Sequence, residues 1–347
     1  MRDLLTFIAL VLASSLVAVM FYLNAMFTES HVGPASRWRI RTMEKVMIEN
    51  PEIPPSNSTS TASASTRRKT TESPLKVVHS GSSDERTEQL NCTTARLSAM
   101  KFPICIYSSG TDKYISRSLM RGYYFEGDAV IRFIRLLQSD RRLQFVDIGA
   151  NIGLYSLPAA RVTQVLAVEP NWLSMARLAK AVDLGSVGSN VTLVHNAVSD
   201  VRTKLNVGID ARNQGHMFLI NGTRCSQTLE GRPCRVLPQT STVLLNDLLP
   251  LMRSAAALLK VDVEGHEVNV FTESSAGQFF DQVDVPLVFM EWEWCKKHSP
   301  AIVQRLLNFF HARNYAAFNT SDSKLLTHYQ QWPDDILFKK SSYSTRL

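Results

Sequence analysis

The hydrophobic and polar positions divide the chain into three stretches. Leu4 to Phe27 is predominantly apolar and carries no charged residue. At about 24 residues it exceeds the roughly 20 that the hydrocarbon layer requires, and it is longer than the apolar part of a cleaved signal peptide. It predicts an uncleaved signal anchor behind a short tail of residues 1–3. A polar stretch follows. Residues 28–50 could form a short juxtamembrane helix, and residues 51–90 are rich in Pro, Ser and Thr. Such a segment buries too little apolar surface to offset its ordering entropy, so residues 28–94 are expected to be a flexible stem.

From about residue 95 the pattern changes to short apolar runs alternating with helical spacing. Val130, Ile131, Phe133, Ile134, Leu136 and Leu137 predict a helix over Asp128–Gln138. Strands are expected at Gln144–Ile148, Gln164–Val168, Val191–Asn196, Ala257–Val263, Val285–Glu291, Ala316–Asn319 and Asp335–Lys339. Helices are expected at Ile152–Arg161, Trp172–Asp183, within Ser241–Arg253, and at Ile302–Arg313. This alternation predicts an α/β domain over 95–347, a mainly parallel sheet covered by helices on both faces. Lys204 to Thr240 breaks the rhythm and reads as an insertion over about 204–240, an antiparallel hairpin near the ligand edge.

Composition adds compartment. The 347 residues are 45% hydrophobic, enough for a sizeable core, and carry a net charge of +7. Much of that excess precedes residue 100, and no basic-aromatic interleaving suggests nucleic acid. Basic residues flank the apolar span on both sides, so charge alone does not orient it. N-x-[ST] triplets at Asn57, Asn91, Asn190, Asn221 and Asn319 favour a lumenal C-terminal part, hence a type II membrane protein. Cys225 with Cys234, and Cys92 with Cys105, could close disulfide loops, leaving Cys295 buried; five reduced thiols is the alternative. No Cys/His cluster points to zinc.

The chemistry sits at the ends of the strands. Asp147-Ile148-Gly149-Ala150-Asn151-Ile152-Gly153 reads as a strand, a tight turn and a helix start. Glycines there let backbone approach a ligand, and the carboxyl edge of a parallel strand is where nucleotide-like cofactors bind. Glu169 closes the next strand about 20 residues on, where an acid accepts hydrogen bonds from ribose hydroxyls. Asn196, with Asp200 as the fallback, is placed to read an adenine edge; a turn cap is the plainer reading. After the fourth strand, Asp262, Glu264, His266 and Glu267 crowd around Gly265. Alternation puts Asp262 and Glu264 on one side, and His266 is suited to take a proton near neutral pH. Paired carboxylates could also hold a divalent cation, although no metal ligands are assigned. Glu291 lies at the same edge, and Trp292 and Trp294 could form a sugar platform or belong to the core.

The segments Val146–Gly153, Val168-Glu169-Pro170, Asn196-Ala197-Val198, Thr242–Leu249 and Lys260–Glu267 resemble the FkbM methyltransferase family over about residues 120–340. The Lys260-x-Asp262-x-Glu264-Gly265-x-Glu267 segment is the most specific of these. The resemblance implies a Rossmann-like class I methyltransferase fold with a mainly parallel seven-stranded sheet. It also implies S-adenosylmethionine as cofactor and methyl transfer to oxygen, often on sugars. Carried onto this chain, it makes Asp147, Gly149, Asn151, Gly153 and Glu169 cofactor residues. Asp262, Glu264 and His266 become acceptor-side catalytic residues. Anchor, stem and lumenal domain together suggest a Golgi O-methyltransferase acting on a glycan. The alternatives are a catalytically silent trafficking partner and a glycosyltransferase built on Asp262-Val263-Glu264.

Overall fold

The computed structural model describes residues 75–79, 90–108, 110–210, 213–220 and 234–344. The predicted tail and anchor, most of the stem, and Asn57, Asn221 and Cys225 lie outside these residues. Among the described residues no helix is long and apolar enough to cross a membrane.

The strands in chain order are β1 (Val77–Val78), β2 (Cys92–Leu97), β3 (Met100–Cys105), β4 (Leu143–Ile148), β5 (Val165–Val168), β6 (Val191–Val194) and β7 (Ala197–Val198). They continue with β8 (Lys204–Asp210), β9 (Asn213–Ile220), β10 (Cys234–Val243), β11 (Ala256–Val261), β12 (Asp284–Glu291), β13 (Tyr315–Asn319) and β14 (Asp335–Lys340). Eight form one sheet in the order β1-β6-β5-β4-β11-β12-β14-β13. From β6 to β12 every neighbour is parallel, and β14 runs antiparallel to both β12 and β13. The fold is therefore mixed α/β with a large sheet, and seven of its strands stand where the hydrophobic runs predicted them.

The central strand β4 is buried at all six positions, as a strand covered on both faces must be. Its residues alternate between two cores. Val146 and Ile148 join one cluster with Leu259, Val261 and Phe310, while Leu143 and Phe145 join another with Phe133 and Leu178. The predicted helix at Asp128–Gln138 is Gly127–Ser139 and buries Val130, Phe133, Ile134, Leu136 and Leu137. Trp172–Leu184 is a helix whose N-cap Asn171 accepts a hydrogen bond from the Leu173 N–H.

Three expectations change. The helix expected at Ile152–Arg161 shrinks to Ser156–Ala159, because Gly149, Asn151 and Gly153 all lie at positive φ and hold the preceding residues in a turn. The helix within Ser241–Arg253 is a 3₁₀ helix, Leu245–Leu251, with Pro250 inside it. Within the expected stem, Val77 and Val78 pair antiparallel with Val194 and Leu193, so the ordered domain starts earlier than residue 95. This short strand occupies the otherwise open edge of β6.

The insertion is a sheet rather than a single hairpin, with order β7-β10-β8-β9. The end of β10 pairs in parallel with β7, which ties it to the main domain. Cys92 and Cys105 face each other across β2 and β3 and form a disulfide. Cys234 is disulfide-bonded as well, and Cys295 is free and buried.

Candidate active site

The turn after β4 is shaped by close approach. A Cβ on Gly149, at φ +88°, would collide with the Asp262 carbonyl, and one on Gly153 would lie 2.9 Å from Leu157 Cγ. Asn151 adopts φ +48°, a conformation that Asn tolerates better than most side chains. Its backbone N–H donates to Glu169 Oε2 at 2.8 Å, and Asn171 N–H donates to Glu169 Oε1 at 2.8 Å. Glu169 thus braces two loops, and each oxygen keeps a lone pair for a ligand hydroxyl. Burial pushes its pKa up to about 7 against the pull of those two N–H groups. Asp147 accepts a 2.6 Å hydrogen bond from Ser156 Oγ at Oδ2, while its buried Oδ1 has no partner. Burial raises the Asp147 pKa, and the nearby Lys260 charge opposes the rise.

The loop after β11 divides its polar groups between ligand edge and fold. Lys260 Nζ lies 2.8 Å from Asp262 Oδ2. Burial disfavours the ammonium, but the Asp262 and Asp147 carboxylates outweigh that and raise its pKa well above the ordinary range. Glu264 sits at φ +54° and Gly265 at φ +98°, and this tight reversal points Glu264 into the cavity. Glu267 is fully buried and accepts from the Val263 and Gly265 N–H groups, so it shapes the loop. His266 corrects the expectation made of it. Its Nε2 lies 2.9 Å from Ser199 Oγ, it lines neither large cavity, and burial lowers its pKa to about 4. The reversal at Glu264–Gly265 turns it behind the loop rather than into the pocket.

The histidine at the cavity is His216, supplied by β9 of the insertion. Its Nε2 lies 3.1 Å from Glu264 Oε2, and its ring stacks on Trp294 at 5.8 Å. Trp294 Nε1 donates to the same Glu264 oxygen at 3.1 Å. Burial raises the Glu264 pKa, and the His216 contact opposes it. No motif marked His216, because its role depends on β9 folding across the sheet edge. Of the two tryptophans, Trp294 lines the cavity, whereas Trp292 is fully buried against Trp332.

Asn196 is the second correction. Its Oδ1 accepts from Lys76 N–H at 2.8 Å and its Nδ2 donates to the Ser241 carbonyl at 3.0 Å. The amide joins the β1 edge to the insertion, so its hydrogen bonds are engaged within the fold although the residue borders the small space beside Pro170. The fallback Asp200 accepts from Ser199 Oγ and also lies outside both large cavities.

Two cavities of about 440 Å³ each meet at this edge, a size typical of ligand sites. The first is lined by Asp147, Gly149, Asn151, Glu169, His216 and Glu264 among others. The second runs between the Gly127–Ser139 helix and strands β12 to β14. Glu126, Tyr155, Lys260, Asp262 and Glu291 line both and form the shared wall. Glu291 stands outside the catalytic set expected from sequence. Its Oε2 is buried without a partner, and burial beside Asp262, Glu264 and Glu267 pushes its pKa up to about 11. Gly153 supports the turn from behind and lines neither cavity. Among the described residues no group of three His, Cys, Asp or Glu side chains could hold a metal ion.

A search of curated proteins finds no match. Among solved structures, the FkbM methyltransferase of Methylobacillus flagellatus aligns at 14% identity and a TM-score of 0.36, over 57% of this chain and 43% of that one. The chain thus spans less than half of that relative's length. A SAM-dependent O-methyltransferase of Thermotoga maritima aligns at 11% identity and a TM-score of 0.32, over 73% and 79% of the two chains. An O-methyltransferase of Bacillus cereus in complex with SAH aligns at 10% identity and a TM-score of 0.32, over 61% and 79%. The family model matches from Asp147, the acid of the glycine turn, to Ala316 on β13: residues 147–316 are a methyltransferase FkbM domain match, and the chain is methyltransferase-like.

Proposed function

We propose that this protein is an S-adenosylmethionine-dependent O-methyltransferase that modifies a hydroxyl of a glycan in the secretory pathway. The observation that carries the reading is the cradle at the first cavity. Asp147 presents an unpartnered buried oxygen, Gly149 leaves the backbone bare, and Glu169 retains acceptor capacity beside the Asn151 turn. These groups fit a ligand with an ammonium at one end and ribose hydroxyls at the other. When bound, S-adenosylmethionine supplies a methyl carbon activated by a positively charged sulfur.

The chain's own residues then position and deprotonate. Asp147 and the turn backbone would hold the amino-acid end of that cofactor, and Glu169 its ribose. Asp262 stands on the shared wall, held by Lys260, and takes the proton of an acceptor hydroxyl arriving from the second cavity. His216 and Trp294 fix Glu264 on the opposite side. Holding the acceptor oxygen in line with the methyl carbon is the larger part of the task. The compartment is supported by the Cys92–Cys105 disulfide and the bonded Cys234, which suit an oxidising lumen, and by the exposed sequon residue Asn91.

A second reading has one observation in its favour. The space bounded by Pro170, Asn196, Met217 and Val263, next to the Glu169 loop, is only about 10 Å³. A base would have to displace Met217, a flexible side chain, to stack there. A catalytically silent chain acting as a trafficking partner would keep that space closed. Calorimetry of S-adenosylmethionine with the purified full-length chain separates the two. Micromolar binding, lost in an Asp147→Ala, Glu169→Ala double variant, is expected. A folded chain that shows no binding transfers the weight to the trafficking reading.

A further inference from the structure

The second cavity shows chemistry of its own. Across the sheet, Lys260 pairs in register with Phe289, and Phe289 with Leu337, which gives an apolar floor. One level nearer the ligand edge, Glu291 stands directly opposite Asp335 on the antiparallel neighbour. Phe289 and Glu291 alternate with buried residues on β12, so both project from one face into the cavity. Two like-charged side chains directly opposite each other on neighbouring strands are destabilising unless something lies between them or one is neutral. Glu291 is the neutral one, since burial and the surrounding Asp262, Glu264 and Glu267 favour its protonated form.

A protonated carboxyl both donates and accepts, while Asp335 accepts. Adjacent hydroxyls on one ring present this demand. Tyr155 and Phe289, both half-buried, offer apolar surface to the face of such a ring. Asp262 on the shared wall is offset by Lys260, and the remaining carboxylates, Glu126 and Asp335, are exposed to solvent, so the buried interior carries little net charge. Arg132 and Arg135 belong to the exposed rim, where solvent screens them.

We propose that the second cavity binds an uncharged sugar ring through two neighbouring hydroxyls, held by Glu291 and Asp335, with Tyr155 and Phe289 against the ring. This deepens, and rests on, the methyl-transfer reading, since a third hydroxyl or one of the pair then faces Asp262 at the shared wall. Glu291 and Asp335 are positioning residues here, and neither takes the acceptor proton.

Ligand-observed NMR on the full-length chain, without methyl donor, tests it. The probes are neutral methyl hexosides, their 2-deoxy and 3-deoxy analogues, the matching uronic acids and the 2-amino sugars. At least one neutral hexoside should bind. Removing one of the paired hydroxyls should weaken it about tenfold, the worth of one hydrogen bond to a committed site. Glu291→Ala should cause a similar loss, and Glu291→Gln, which keeps a neutral donor and acceptor, should restore most of it. Unchanged affinity of every deoxy analogue, tighter binding of uronic acids or amino sugars, or no sugar binding by a chain that binds S-adenosylmethionine would each overturn the proposal. Failure of the methyl-transfer reading is read separately, as sugar binding by a chain that does not bind S-adenosylmethionine.

Discussion

The loops after β4 and β11 leave adjacent parallel strands, and both combine acids with a glycine at positive φ. They use their polar residues differently. After β4, Asp147 and the turn backbone face a cavity, and the brace that holds the turn comes from another strand end, Glu169. After β11 the loop braces itself. Glu267 turns inward to hold the Val263 and Gly265 amides, and His266 turns behind the loop to Ser199. Only Asp262 and Glu264 of that group face the cavity, and Glu264 is completed by His216 from the insertion. A short run of acids and a histidine is therefore a set of directions as much as a set of chemical groups.

The two loops touch at Gly149, and the largest effect is expected there. Gly149→Ala adds a left-handed alanine and a collision with the Asp262 carbonyl, and should cost about 3 kcal/mol or more in chemical denaturation. Glu169→Gln comes next. An amide can accept from only one side, so one brace N–H is left facing a donor, at about 1–3 kcal/mol, and cofactor affinity should fall with it. Asn196→Ala should cost about 1–2 kcal/mol, by freeing the Lys76 N–H and the Ser241 carbonyl, with a smaller effect on binding than Glu169→Gln.

The pH dependence is subtler. Glu291 is raised from 4.5 to about 11, so the folded state binds its proton more tightly than the unfolded state. Its contribution is fully present below pH 4.5 and is lost progressively as pH rises toward 11. Thermal unfolding between pH 5 and 9 should therefore show a declining stability that Glu291→Gln flattens. The smallest effect is expected at His266. His266→Gln should leave cofactor affinity within about twofold, as a substitution outside the cavity should, whereas His216→Ala should lower it measurably. Equal losses at the two histidines, measured by calorimetry, would remove the distinction between the loops.

Much of the fold was legible along the chain. β4, β5 and β6 are short, mainly apolar runs between turn residues, and burial on both faces leaves few other arrangements for such runs. The common edge that Asp147, Gly149, Asn151 and Glu169 occupy was legible for a related reason: their positions follow from backbone geometry within one strand–turn–helix unit and its neighbour. The helix after Gly153 starts later than apolar spacing places it, because three positive-φ residues at alternate positions, Gly149, Asn151 and Gly153, are not visible in that spacing.

The sequence by itself determined the α/β alternation, the position of the glycine turn and the acids that end β4, β5 and β11. These are local properties, fixed by residue type and period. Tertiary structure alone decided where side chains point once strands from distant parts of the chain meet. It drew Asn196 into the fold by placing Lys76 and Ser241 on either side of its amide. It turned His266 away, brought His216 in on β9, and set Glu291 directly opposite Asp335, which lies 44 residues further along the chain. Each of these depends on a long-range pairing, and no local pattern encodes which remote residue a side chain will meet.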